Sequence, residues 1–138
     1  MSDESSDERR RRRSEETQQA LTYQLEHLVE TFDGIELMLL ADDHGLIIAH
    51  AGDEEAAEMF GVQARPLAEG HQPDSELLLV MPELRREQIL CEAINLDEIP
   101  LYLGAVMDPT PENTKAFQRA RDGIQRIYYT TSELAGDD

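Results

Sequence analysis

The stretch that decides the fold is Leu39–Ala49, which reads Leu-Leu-Ala-Asp-Asp-His-Gly-Leu-Ile-Ile-Ala. Two short apolar runs flank an Asp-Asp-His-Gly turn, and the first run extends back to Ile35. Each run is short for a helix, so the pattern predicts two strands joined as a β-hairpin, with Gly45 supplying a positive φ in the turn. Neither run alternates apolar with polar residues. We therefore expect both strands near the middle of a sheet that helices cover.

A helix is predicted before the hairpin, because apolar residues recur there at spacings of three and four. These residues are Leu21, Leu25, Leu28, Val29 and Phe32. One apolar stripe of this kind is typical of an amphipathic helix. Ser14, followed by two glutamates, is a candidate N-cap, and Gly34 is a candidate end. Ordered structure is therefore expected to begin near Ser14.

A second helix is predicted after the hairpin. Asp53 is its candidate N-cap, with two glutamates in the first turn. Gly61 weakens the helix by about 1 kcal/mol relative to alanine. Pro66 predicts that the helix stops or distorts there, because proline lacks an amide hydrogen and restricts the residue before it.

The remaining chain predicts three further strands and a closing helix. The strands are Leu77–Met81, Glu87–Leu96 and Leu101–Met107. The closing helix follows Thr110, a candidate N-cap, with Pro111 at its first position. The order α-β-β-α-β-β-β-α with hairpin connections predicts an α+β fold with a five-stranded antiparallel sheet and three helices. This domain is expected to occupy residues 14–130, after a disordered charged tail at 1–13 and before a flexible acidic C-terminus at 131–138.

The charge balance is strongly acidic. The 138 residues hold 30 acids and 12 basic residues, a net charge of −18. Residues 1–13 carry four acids and five arginines, a net of +1, so residues 14–138 carry −19. Such a body repels nucleic-acid phosphates, and no nucleic-acid partner is expected for it. Its acidity fits solubility, high-salt adaptation or a basic partner. The run Arg9–Arg13 is a candidate contact for nucleic acid or a membrane surface, although its acidic flanks favour a solvated tail.

The sequence lacks a membrane-spanning stretch and a second cysteine, and both absences bear on the expected location of the protein. The apolar run near Leu37–Ala41 is far shorter than the roughly 20 residues of a membrane span, so no membrane span is expected. The single cysteine, Cys91, excludes an intramolecular disulfide. A reducing, cytoplasmic location is therefore expected.

The run Leu39–Ala49 resembles the strand, turn and second strand of the roadblock family, small domains typified by a dynein light chain. Gly52–Ala57 and Leu101–Val106 are also similar to that family, and the likeness covers about residues 15–130. The resemblance implies the element order given above and homodimers that pair central strands and second helices. It also implies a role as a platform for Ras-like small GTPases, as in the bacterial gliding-motility roadblock protein, which accelerates GTP hydrolysis.

Two groups of candidate site residues follow. The resemblance places the dimer face on Leu77, Leu79, Met81, Met59 and Phe60. An edge strand exposes unpaired backbone groups that a second copy satisfies, although the same side chains fill a core equally well. Arg85 and Arg86, in a predicted exposed turn, are candidate partner contacts, because an activator can supply an arginine to GTP hydrolysis. Ordinary surface charge is the alternative for both arginines.

No constellation in the sequence predicts catalysis, a cofactor or a metal. The four histidines lack metal-ligand spacing, and Cys91 lies in a predicted strand, where a buried thiol is the favoured interpretation. His44 and Asp42 are candidate cation ligands, but a solvated turn is favoured there. We therefore expect a non-catalytic dimeric regulator or scaffold that binds a Ras-like small GTPase, with stimulation of GTP hydrolysis as an added activity. The alternative is a small-molecule sensor of the GAF or profilin-like class, which needs a pocket of about 300 Å³ or more.

Overall fold

The sheet has four antiparallel strands, and helices cover both of its faces. The computed structural model describes residues 2–136, and their side chains from Glu8 to Thr130 except Arg10 and Arg13. In chain order the elements are α1 (Ser2–Thr31), β1 (Ile35–Asp42), β2 (Ile47–Ala51), α2 (Glu54–Val62), α3 (Ala64–Ala68), α4 (Ser75–Val80), β3 (Ile89–Leu96), β4 (Ile99–Met107) and α5 (Pro111–Gly136). A 3-10 turn, Arg86–Gln88, precedes β3. The strand order is β2-β1-β4-β3.

The predicted α+β class is confirmed, but the predicted five strands and three helices are wrong: the described residues form four strands and five helices. The difference begins at Leu77–Met81, where the predicted strand is the short helix α4. Asp74 caps this helix, because its Oδ1 accepts a hydrogen bond from Leu77 N at 3.1 Å. The buried side chain of Gln63 holds Asp74 in place through Nε2 to Oδ1, 2.7 Å, and Asp74 N to Oε1, 2.9 Å. The capped turn therefore favours helix over strand.

Helix α1 begins at Ser2, which corrects the start predicted at Ser14. The five residues 9–13 are all arginine, which has high helix propensity. The predicted apolar stripe is confirmed, since Leu21, Leu25 and Leu28 are buried. The predicted disorder of 1–13 and flexibility of 131–138 stay predictions; α5 continues to Gly136, and Met1, Asp137 and Asp138 lie outside the described residues.

Strand β1 is buried on both faces, as expected for a strand in the middle of a sheet. Its alternate residues enter two separate cores. One core lies under α1 and α5 and takes Met38 and Leu40; the other lies under α2, α3 and α4 and takes Leu37, Leu39 and Ala41. The sequence also predicts β2 near the middle of the sheet, and this prediction is wrong. Strand β2 is an edge strand that pairs with β1 alone among the described residues.

The turns and helix starts follow local signals in the sequence. In the β1–β2 turn, Asp42 Oδ1 accepts hydrogen bonds from His44 N at 2.8 Å and Leu46 N at 3.0 Å, and Gly45 has the predicted positive φ, +85°. Asp53 Oδ2 accepts from the amide of the third residue of α2 at 2.9 Å. Helix α2 ends before the proline of α3, as predicted.

The other two strands form a second hairpin with a two-residue turn. Leu96 pairs with Ile99 across the sheet, and Asp97 and Glu98 lie between them with φ values of 52° and 69°. Both central residues therefore occupy the left-handed region, which glycine and asparagine adopt most readily. Helix α5 then begins after Thr110, whose Oγ1 accepts from Asn113 N at 3.2 Å, as predicted.

Candidate protein-interaction surfaces

The structure separates the five side chains predicted to form a dimer face. Phe60 and Leu77 are fully buried in the core between the sheet and helices α2 to α4. Met59 and Met81 pack against the same core and are partly buried. Leu79 is 80% exposed on α4. Of the five, Leu79 is therefore the side chain most accessible to a partner. Substitution of the buried Phe60 or Leu77 changes the stability of the fold before it changes any contact with a second copy.

A groove beside α4 brings together residues from both predicted groups. Its volume is about 660 Å³, and its lining includes Met81, Leu84 and Arg85, together with Glu36 from β1 and Val106 from β4. We call it the α4 groove. It combines an apolar wall with charges of both signs, a composition that suits contact with a protein surface.

The two candidate arginines have different environments. Arg86 Nη1 donates to Ile89 O at 3.2 Å, and its Nη2 donates to Leu67 O at 3.2 Å. Through these two hydrogen bonds, Arg86 connects the end of α3 to the start of β3. Arg85 is exposed, and its guanidinium lies 3.2 Å from a carboxylate oxygen of Glu87. An exposed ion pair of this kind contributes little to stability, so Arg85 can exchange its partner at low cost.

Strand β3 forms one free edge of the sheet. It pairs with β4 alone among the described residues, so its outer backbone groups face away from the sheet. Ala93 and Asn95 are exposed along it, and its one charged residue, Glu92, lies 3.4 Å from Arg121. A long edge with a single charged residue is a template for pairing with another strand. Sequence reasoning assigned the exposed edge to a strand at Leu77–Met81 instead; the cap at Asp74 marks that segment as a helix.

Burial favours the neutral forms of two titratable side chains of the core, Cys91 and Tyr102. Burial raises the pKa of the Cys91 thiol to about 12, and its Sγ donates to Ala64 O at 3.3 Å. Burial also raises the pKa of Tyr102. Cys91 is therefore buried as predicted, and it is held as a neutral thiol. Within the described part of the chain, no three or more His, Cys, Asp or Glu residues group as metal ligands, and both Asp42 contacts go to backbone amides.

Comparison with known proteins identifies the fold. No protein-family model matches the sequence, and no curated protein matches it. Among solved structures the chain is similar to "MglB with tetrameric arrangement", with 16% identity, a TM-score of 0.54 and coverage of 83% of this chain and 92% of that chain. The chain has a roadblock-type fold. At this identity the likeness shows the fold alone. Across the described residues, no helix has the length and apolar character to cross a bilayer.

Proposed function

We propose that this protein is a non-catalytic, dimeric regulator or scaffold that binds a Ras-like small GTPase. The roadblock-type fold carries the proposal, since the resemblance of the sequence to that family implies such a role. The similar structure is described as MglB in a tetrameric arrangement, which supports self-association as the form in which the fold acts. Stimulation of GTP hydrolysis is the finer part of the same proposal.

The two copies of the dimer pair along β3 in this proposal. The strand from Ile89 to Leu96 has one free side, and antiparallel pairing with a second β3 joins two sheets into one. Ala93 and Asn95 on this strand are exposed, small and uncharged, and the charge of Glu92 lies 3.4 Å from Arg121, so a second strand meets little like charge. Leu79, Met81 and Met59 are proposed as further contacts of the same association.

Light scattering tests this association. The dimer has a mass of about 31 kDa, twice the 15.6 kDa of the chain. Ala93→Lys places like charges opposite each other at the proposed junction and is expected to give monomer, while Leu79→Lys, at a proposed further contact on α4, is expected to weaken the dimer less. If Leu79→Lys alone abolished the dimer, the main dimer contact would lie on α4 and not on β3. A wild-type chain that stays monomeric at micromolar concentration contradicts the dimer altogether.

Affinity capture from native lysate tests the partner. Immobilised protein is expected to retain a Ras-like GTPase in one nucleotide state, so GTP analogue and GDP are compared in parallel. Arg85→Ala is expected to weaken capture, whereas the matched control Arg65→Ala, which removes an exposed arginine that lies 3.7 Å from Glu69, leaves it unchanged. Single-turnover hydrolysis with the captured GTPase then measures stimulation. Failure to enrich any GTPase in either state contradicts the proposal.

The alternative function, a small-molecule sensor, gains no support from the grooves. The α4 groove is large enough for a ligand, but it is open at the surface and bordered by exposed Glu83 and Arg85. Small-molecule sites enclose most of the ligand surface. The observations therefore favour a protein partner.

A further inference from the structure

A second groove follows β2, the strand at the other edge of the sheet. Its volume is about 560 Å³, and it lies between α1 and α2. Its walls are Gln18 and Thr22 of α1 and Glu54, Glu58 and Val62 of α2. We call it the β2 groove. Residues Leu46 to His50 form its floor, so the exposed edge of a strand lies at the bottom of the groove.

Glycines set the shape of this groove. A Cβ atom on Gly61 would lie 2.6 Å from Ile47 Cδ1, and a Cβ on Gly45 would lie 3.1 Å from Val62 Cα. Because both positions lack a side chain, the β1–β2 turn packs directly against α2. The floor and one wall of the groove are thus joined by backbone contact, and the groove is formed before any ligand arrives.

Apolar side chains are exposed at one end of the β2 groove. Leu46 is 66% exposed and Val62 is 70% exposed, while Ile47 and Ile48 are partly exposed. Proteins normally protect an edge strand by keeping it short, by a β-bulge, by lysine or proline, or by a covering segment, and β2 is a five-residue strand with a bulge. The sequence of β2, Ile-Ile-Ala-His-Ala, contains neither lysine nor proline. The edge therefore presents exposed apolar side chains beside a strand that pairs with β1 alone among the described residues.

One backbone group of β2 already shows the geometry of strand pairing. Gln18 Nε2 donates to Ile48 O at 3.0 Å, so this carbonyl points away from β1 and toward α1. Ile48 is the extra residue of a bulge, since Leu40 pairs with Ala49 and Ala41 pairs with Ile47. The amide of Gln18 therefore already occupies this carbonyl, and a strand that adds to β2 either displaces the amide or bonds to other backbone groups of β2.

The charge around the β2 groove has one sign. Glu54 and Glu58 line its α2 wall, and Glu26 and Glu30 line the adjoining groove, which shares Thr22 and His50 with it. Neither groove has a lysine or arginine among the described residues that line it. A second copy of this chain brings the same carboxylates to the contact, so pairing of two β2 edges is disfavoured. The negative charge of these glutamates therefore favours a cationic partner.

We propose that the β2 groove binds an extended segment of a partner protein, which adds to β2 as a further strand and alternates apolar residues with lysine or arginine. Main-chain hydrogen bonds to β2 supply register. Alternate side chains of the added strand point to opposite faces, so the cations face Glu54 and Glu58 on α2 and the apolar residues contact Ile48 on the α1 side. This site lies at the opposite edge of the sheet from β3, so it is independent of the proposed dimer.

A synthetic peptide tests the site. The probe is a fluorescent peptide of alternating valine and lysine, with two matched peptides that carry glutamate for lysine or proline at alternate positions. Fluorescence anisotropy with the full chain is expected to show binding of the lysine peptide at least about tenfold tighter than of either control. The double variant Glu54→Gln with Glu58→Gln is expected to weaken binding about fivefold. The matched control, Glu83→Gln with Glu98→Gln, removes the same charge elsewhere and leaves binding unchanged.

Hydrogen exchange locates the peptide. Protection of the β2 amides on peptide addition is the expected result, and Val62→Arg, which adds a positive charge to the groove wall, is expected to abolish it while the circular dichroism of the fold is retained. Equal weakening by both glutamine pairs would show nonspecific charge attraction and overturn the proposal. Protection at β3 instead, or protection of β2 that grows with protein concentration without peptide, would assign the edge to another occupant and also overturn it.

Discussion

Gly104 lies in β4 beneath the ring of Phe60, and a methyl group there is expected to destabilise the fold. A Cβ atom at Gly104 would lie 2.3 Å from Phe60 Cε1 and 2.8 Å from Cζ. Carbon atoms in contact are normally about 3.5–4.0 Å apart. Gly104 pairs with Leu39 on one side and Cys91 on the other, so β4 cannot move away. The buried ring must therefore shift by about 1 Å or more within a close-packed core.

The expected cost of Gly104→Ala is about 2–3 kcal/mol, in the upper part of the range for overpacking. Urea unfolding followed by far-ultraviolet circular dichroism measures it, because the chain has no tryptophan. Phe60→Leu removes the ring atoms that clash. The double variant is therefore expected to be less destabilised than the sum of the single variants, with a coupling energy of about 1 kcal/mol or more.

Gly123→Ala is the matched control for this cycle. Its Cβ would meet the flexible side chain of Gln24 at 2.9 Å, which can move, so the helix gains up to about 1 kcal/mol from alanine. Two results would refute the packing argument: Gly104→Ala with unchanged stability, or additive effects in the double variant. A Phe60→Leu protein that loses its dimer at unchanged stability would instead place Phe60 at the dimer face.

Three further predictions concern single sites. Replacing Asp97 by Asn and Glu98 by Gly is expected to stabilise the protein by about 1 kcal/mol in urea unfolding, because both positions have positive φ; no gain would contradict the turn assignment. The Cys91 thiol is expected to resist Ellman's reagent at pH 8 until denaturant is added, because its pKa is about 12; rapid labelling of the native chain would contradict its burial. The pKa of Asp74 lies below its usual 3.8, because hydrogen bonds from Leu77 and, to a smaller extent, Gln63 stabilise the charged carboxylate. The contribution of this carboxylate to stability is therefore fully present above pH 3.8 and is lost as pH falls through the lower pKa of the folded protein. Asp74→Ala is therefore expected to cost about 1 kcal/mol at neutral pH and less in acid, and an equal cost at both would refute the cap.

The features that the sequence predicts correctly are set by neighbouring residues. The caps at Asp53 and Thr110 and the glycine turn at Gly45 each depend on atoms within four positions in the chain. The burial of β1 on both faces also follows from its unbroken apolar run. Local hydrogen bonding and hydrophobicity suffice for such elements, so the hairpin and the flanking helices are predictable.

The features that the sequence does not predict depend on distant contacts. Leu77–Met81 is apolar enough for either a strand or a helix, and the choice depends on Asp74, which Gln63 holds from eleven positions away. The loss of that strand turns β3 into an edge. Arg86 likewise contacts Leu67, a residue in another helix, so its structural role cannot be inferred from its position in a polar turn.

The two edges of the sheet differ in charge, and this difference predicts opposite responses to salt. Copies that each carry −19 in residues 14–138 repel one another, and the β3 edge is a place where they can approach, because its Glu92 lies beside Arg121. Salt screens the general repulsion, so the dimer is expected to tighten as salt rises. Binding of a lysine peptide at the β2 groove depends on attraction to Glu54 and Glu58, and is expected to weaken under the same conditions. Dimer dissociation measured by sedimentation and peptide affinity measured by anisotropy should therefore change in opposite directions along one salt series, and a shared direction would contradict this division of roles between the edges.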